Sequence, residues 1–134
     1  MSIERVNPAA LARPSGFSHA VVATGGRLVF LAGQTALRPD GVITGATVTD
    51  QFEQALGNLL TALGEAGGQP GHLASLTIYA VDLEDYRAHA REIGAVWRRL
   101  AGTEYPAMAA VEVSRLWDPT ATVEIQGVAS IGFG

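Results

Sequence analysis

Two hydrophobic periods alternate along the chain. Residues 27–33, Arg-Leu-Val-Phe-Leu-Ala-Gly, make a short apolar run bounded by Gly25-Gly26 and Gly33, the mark of a buried strand. Residues 19–24 read as a strand before it, and Thr24-Gly25-Gly26 suits a hairpin turn between the two. A short strand around Ile3 to Val6 precedes them, and the Arg-Pro-Asp-Gly of residues 38–41 marks a loop after them. From Thr47 the period changes. Val48, Phe52, Ala55, Leu56, Leu59, Leu63 and Ala66 recur every three or four residues, which predicts one apolar stripe on a helix. Thr47 or Thr49 caps its start, Gly67-Gly68 ends it, and Pro70 blocks its continuation.

Residues 73–81 return to strand character, and Asp82 caps a second helix with Tyr86, Ala90, Ile93, Trp97 and Leu100 on its apolar face. Two more strands follow. In residues 110–115, Val111 and Val113 point one way and Glu112 and Ser114 the other. In residues 122–131, Val123 and Ile125 alternate with Glu124 and Gln126. The Asp118-Pro119 step between them predicts a turn. The order ββ–α–β–α–ββ predicts an α+β domain, a mixed sheet with two helices on one face. No segment remains to cover the other face. That face is expected to carry Met108, Ala110, Glu112, Ser114, Glu124, Gln126 and Val128, and to pack against further copies of the chain. Pockets are then expected where subunits meet.

Composition narrows the chemistry. A chain of 134 residues, 48% hydrophobic and 16% charged, is the size and make-up of one folded domain spanning 1–134. It has no cysteine, which excludes disulfides, thiolate nucleophiles and iron–sulfur clusters. All nine cations are arginine, so Schiff-base catalysis through a lysine amine is excluded. The net charge of −4 speaks against a phosphate-backbone binder, and Arg98-Arg99 reads as a favourable charge at a helix C-terminus. His19, His72 and His89 lie far apart without ligand spacing, so neither metal nor cofactor is expected. No apolar run reaches the roughly 18 residues of a membrane span, and no apolar leader follows Met1. The expectation is a cytoplasmic protein with no membrane or nucleic-acid partner.

Several segments resemble the RidA (YjgF) family: Phe30-Leu-Ala-Gly-Gln34, Asp82-Leu-Glu-Asp-Tyr86, Tyr105-Pro-Ala107, residues 111–116 (Val-Glu-Val-Ser-Arg-Leu) and Val123-Glu-Ile125. The resemblance runs from about Gly16 to Ile131. It implies a fold like chorismate mutase of the Bacillus type and a homotrimer with three intersubunit clefts. It also implies hydrolysis of reactive enamines and imines to a carbonyl compound and ammonia; other members are known as translation-inhibiting endoribonucleases. In the deaminating members an arginine follows the Pro-Ala step and clamps the substrate carboxylate. Here that position is Met108, a thioether with no donor. The family's acidic residue on the last strand is retained as Glu124, the expected catalytic group. Gly33 matches the glycine whose backbone approaches the ligand, and the Ala109 N–H is a candidate to hold the ligand's polar end. The resemblance implies that Ser18, next to His19, replaces a family tyrosine and that Ala90 aligns with a frequent asparagine of the second helix.

Two readings follow from the resemblance. One is a hydrolase of altered substrate preference, with Glu124 orienting water and Met108 as an apolar wall. The other is a trimer that binds a small molecule or a protein and has lost the chemistry. Arg115 is expected to point toward the helices with Val111 and Val113, leaving the cleft without a cation.

Overall fold

The computed structural model describes residues 3–132. Strands β1 (Ile3–Val6) and β2 (Ala20–Ala23) pair antiparallel as a small two-stranded sheet. The main sheet has four strands, β3 (Arg27–Gln34), β4 (Leu73–Ala80), β5 (Ala107–Glu112) and β6 (Val123–Ile131), in the order β3-β6-β4-β5. The β3/β6 and β6/β4 ladders are antiparallel, and β4/β5 is parallel, so the sheet is mixed and the architecture α+β. The parallel pair requires a crossover, which the helices between β4 and β5 supply. No helix among the described residues is long and apolar enough to cross a membrane.

Helix α1 (Val48–Glu65) starts at Thr47, whose side chain accepts a hydrogen bond from the Asp50 N–H, and is followed by Gly67 at φ +92°. Its expected stripe is its buried face: Phe52, Leu56, Leu59 and Leu63 pack with Leu76, Ile78, Val123 and Ile125 of the sheet. Gln51 breaks the apolar pattern and is nonetheless buried. Its Nε2 donates to the Gly45 and Thr120 carbonyls at 3.3 and 3.1 Å, and its Oε1 accepts from the Thr122 N–H at 2.8 Å. One side chain thereby ties α1 to the loop that precedes it and to the loop before β6.

Three sequence expectations are corrected. The second helix is two: α2 (Leu83–Ala88), capped by Asp82, and α3 (Ala90–Ala101), joined at His89 with φ −104° and ψ 16°. The His89 ring bonds back to the Asp85 carbonyl, closing the first helix locally. Strands β2 and β3 do not form a hairpin ladder: β2 pairs with β1 and β3 with β6. Gly25 and Gly26 instead turn the chain at positive φ, where a Cβ on Gly26 would sit 2.8 Å from the Ile131 carbonyl carbon.

The third correction concerns the faces of β5. Met108, Ala110 and Glu112 pair in register with Leu76, Ile78 and Ala80, so they lie on the helix side of the sheet. The Glu112 carboxylate accepts from the Leu83 N–H at 3.1 Å and so supports the start of α2. Val111 pairs with Tyr79 and faces outward. The apolar-inward rule misplaces this strand because β5 is an edge. Its valine belongs to an outward face that also exposes Leu28 and Phe30, the latter to 75%.

Candidate functional site

The fold puts two grooves on opposite sides of the main sheet. On the outward face, Glu124 of β6 pairs in register with Tyr79 of β4 and is half-buried. Its groove, about 280 Å³, is lined by Gly33, Tyr79, Arg115, Glu124 and Gln126 among others. Gly33 lies where the β3/β6 register slips between Leu31 and Gln34. A Cβ there would meet the Glu124 carboxyl carbon at 2.9 Å and its Cγ at 3.1 Å, so the glycine is what leaves the carboxylate room. Tyr79 donates its hydroxyl to Gln126 Oε1 at 3.1 Å, fixing the neighbouring wall.

Arg115 stands in this groove, contrary to the expectation that it turns toward the helices. The chain leaves β5 at Glu112 with the outward and inward positions reversed from the sequence reading, so residues 113 and 115 fall on the Glu124 side. Among the described residues Arg115 is in no ion pair. Carboxylate and guanidinium in one groove can orient water and hold a polar ligand group, respectively.

On the other side of the sheet, Met108 packs against the core and lines a larger groove of about 500 Å³ over α3. The walls are aromatic: Trp97 stacks on Tyr105 with centroids 6.1 Å apart, and Tyr86 meets Phe52 edge-on at 6.2 Å. Burial pushes the Tyr86 hydroxyl up to about 12, so it is a neutral donor at ordinary pH. The expected helix stripe of Tyr86 and Trp97 is therefore both core and groove wall.

The candidate residues divide accordingly. Gly33 and Glu124 come together, and Ala109, paired with Thr77, shares their outward face on the edge strand. Met108 lies on the opposite face of the same protomer, not beside Glu124. Ser18 is buried at the start of β5: its Oγ donates to the Tyr105 carbonyl at 2.7 Å and its N–H to Pro106 at 2.9 Å. The sequence reading missed Arg91 and Arg98, both in the Met108 groove. Their signal was the spacing Arg91, Gly94, Arg98, which puts two cations and a gap on one flank of the helix beside its apolar stripe.

Comparison with known proteins gives a consistent result. The pattern of the family described as Endoribonuclease L-PSP matches residues 7–131. A RutC family protein of Pyrococcus abyssi is 30% identical over 105 residues, 78% of this chain and 79% of the relative. The solved structure of the Rid family protein YyfB from Yersinia pestis is similar over 98% of this chain and 100% of its own, with TM-score 0.88 and 31% identity. The structure of E. coli TdcF with bound serine is similar over 90% of this chain and 91% of its own, with TM-score 0.70 and 26% identity.

Proposed function

Because this chain belongs to the Endoribonuclease L-PSP family, the family of the RidA and YjgF proteins, we propose that it acts as a homotrimer whose intersubunit clefts bind a small metabolite and hydrolyse an enamine or imine. The observation that carries this reading is the pairing of Glu124 with a side-chain-free Gly33 in an open groove on an uncovered sheet face. Leu28, Phe30 and Val111 on that face are apolar and exposed, and a second copy set against them removes them from water. In this reading the edge strand β5 of one copy, with its Met108 groove, is set toward the outward face of the next. Each cleft then has two walls from different chains.

In that cleft Glu124 accepts a proton from water as the oxygen adds to the C=N carbon. The nitrogen takes up a proton as the tetrahedral adduct forms. The C–N bond then breaks as the protonated Glu124 delivers its proton to the nitrogen and the adduct's hydroxyl gives its proton back to the carboxylate, leaving a carbonyl compound and ammonia; an enamine first takes a proton on carbon to become the imine. General-base assistance of this kind contributes about 10²–10⁴-fold. We assign the polar end of the ligand to the guanidinium of Arg115, which lines the Glu124 groove, and to the backbone N–H of Ala109 on the edge strand β5. Ser18 supports the cleft by holding the start of β5, since its hydroxyl is already bonded to Tyr105. The hydrolysis as written uses no cofactor, and we place the activity in the cytoplasm.

Met108 favours a second reading, a trimer that binds ligand without turning it over, because a thioether cannot clamp a carboxylate. Ammonia release from enzymatically generated imines separates the two. Activity in the wild type that disappears in Glu124→Ala supports the hydrolase. Activity found only in Met108→Arg supports lost chemistry and overturns the first reading.

A further inference from the structure

We propose that the groove over α3 is a carboxylate site, in which Arg91 and Arg98 hold the anionic end of a small ligand whose apolar body lies on Met108 and Trp97. The assignment deepens the cleft reading by naming what enters, but it depends on binding alone and not on turnover. The charge balance of the groove carries it. The whole chain is acidic, with thirteen Asp and Glu against nine arginines. Yet this groove is lined by two arginines and by no acidic side chain. Arg5, Arg38 and Arg99 each pair with a carboxylate; Arg91 and Arg98, like Arg13, Arg27, Arg87 and Arg115, are in no ion pair among the described residues, and they are the two that line one cavity together. Two unpaired cations over one cavity leave a positive field that an anion relieves.

Helix stability does not account for them both. Arg91 is the second residue of α3, where the positive end of the helix dipole disfavours a cation. Arg98 is in the last turn, but its guanidinium folds back along the helix. A Cβ on Gly94 would lie 3.4 Å from Arg98 Nη1, so the charge is brought over the bare backbone of Gly94, between the two arginines. The two arginine positions are seven residues apart, about 10 Å along the axis, with the gap at Gly94 between them. Long flexible arms from both ends converge on a carboxylate placed there. Below it, Met108 and Trp97 offer an apolar floor for an aromatic or branched aliphatic body. Tyr86 contributes no negative charge, because it remains protonated. Trp97 is a buried wall residue whose indole N–H has no acceptor among the described residues. The anchor that Met108 does not provide is thus supplied from the neighbouring helix.

The chain has two tryptophans, and Trp117 is 99% exposed. A Trp117→Phe background therefore makes Trp97 the sole indole reporter. In that background hydrocinnamate is titrated against hydrocinnamyl alcohol, its uncharged counterpart, and Trp97 emission is followed. The expected result is saturable binding of the acid about tenfold or more tighter than the alcohol, with each of Arg91→Ala and Arg98→Ala weakening the acid about tenfold. Arg99→Ala, which removes the partner of Glu53 outside the groove, is expected to leave binding unchanged. Equal affinity for acid and alcohol, no saturable response to either, or full retention of acid binding in the Arg91→Ala/Arg98→Ala double variant overturns the assignment. Acid-selective binding together with no hydrolysis of any imine leaves this site standing and removes only the hydrolase reading.

Discussion

Gly33 faces the Glu124 carboxylate so closely that a methyl group at position 33 would come 2.9 Å from the carboxyl carbon. The obstacle is the far end of a flexible side chain rather than backbone, so the fold can yield by moving the carboxylate aside. Gly33→Ala is therefore expected to change unfolding free energy by less than about 1 kcal/mol. Ammonia release is expected to fall about 10²-fold, since a displaced base loses its line to water. Urea unfolding and the imine assay, run on the same preparation, check both halves.

Phe30 is the most exposed residue of the outward apolar patch after the loop residue Trp117 is set aside. Phe30→Glu removes no core contact but places charge where the proposed trimer buries apolar surface. Light scattering is expected to show trimer for the wild type and a smaller species for the variant, with helical circular dichroism preserved.

Gln51 spends its donor and acceptor on three backbone groups while almost fully buried. Gln51→Ala leaves the Thr122 N–H and two carbonyls to find other partners, at an expected cost of about 1–3 kcal/mol. Denaturant midpoints at constant slope measure it.

Two side chains set the response to rising pH. A hydrogen bond to the Asp85 backbone, together with the charges of Asp85 and Glu92, holds the His89 ring above its usual 6.5. The folded state therefore favours the protonated ring, and this contribution is complete below 6.5 and lost as pH rises through the raised folded value. Tyr86 follows the same sign at higher pH: burial moves it from 10.0 to about 12, so stability declines as pH climbs through that interval. His89→Gln is expected to flatten the first decline and Tyr86→Phe the second, as read from unfolding free energies across pH.

The helical stripes and the succession of strands and helices along the chain were legible because period and capping are local: Thr47, Asp82 and the leucines of α1 read directly. The faces of β5 were not. Its valines follow the apolar-inward pattern, but the parallel register with β4 turns Met108 inward and Val111 outward. Sequence alternation fixes which residues share a face and not which face meets the helices. That one inversion also hid Arg115 beside Glu124. The break at His89 was hidden as well, because the apolar spacing of Tyr86, Ala90 and Ile93 continues through it. Pairings between distant segments, such as β2 with β1 in place of β3, leave no local mark at a glycine turn.

Placing Met108 and Glu124 on opposite sides of a single sheet has a genetic consequence. If every cleft borrows one wall from each of two neighbours, a protomer ruined on the Glu124 side and another ruined on the arginine side are not equally useless together. Mixed assemblies contain some junctions where both intact walls meet. Co-expressing two dead alleles is then expected to restore part of the activity that neither has alone, whereas two alleles damaged on the same wall stay silent.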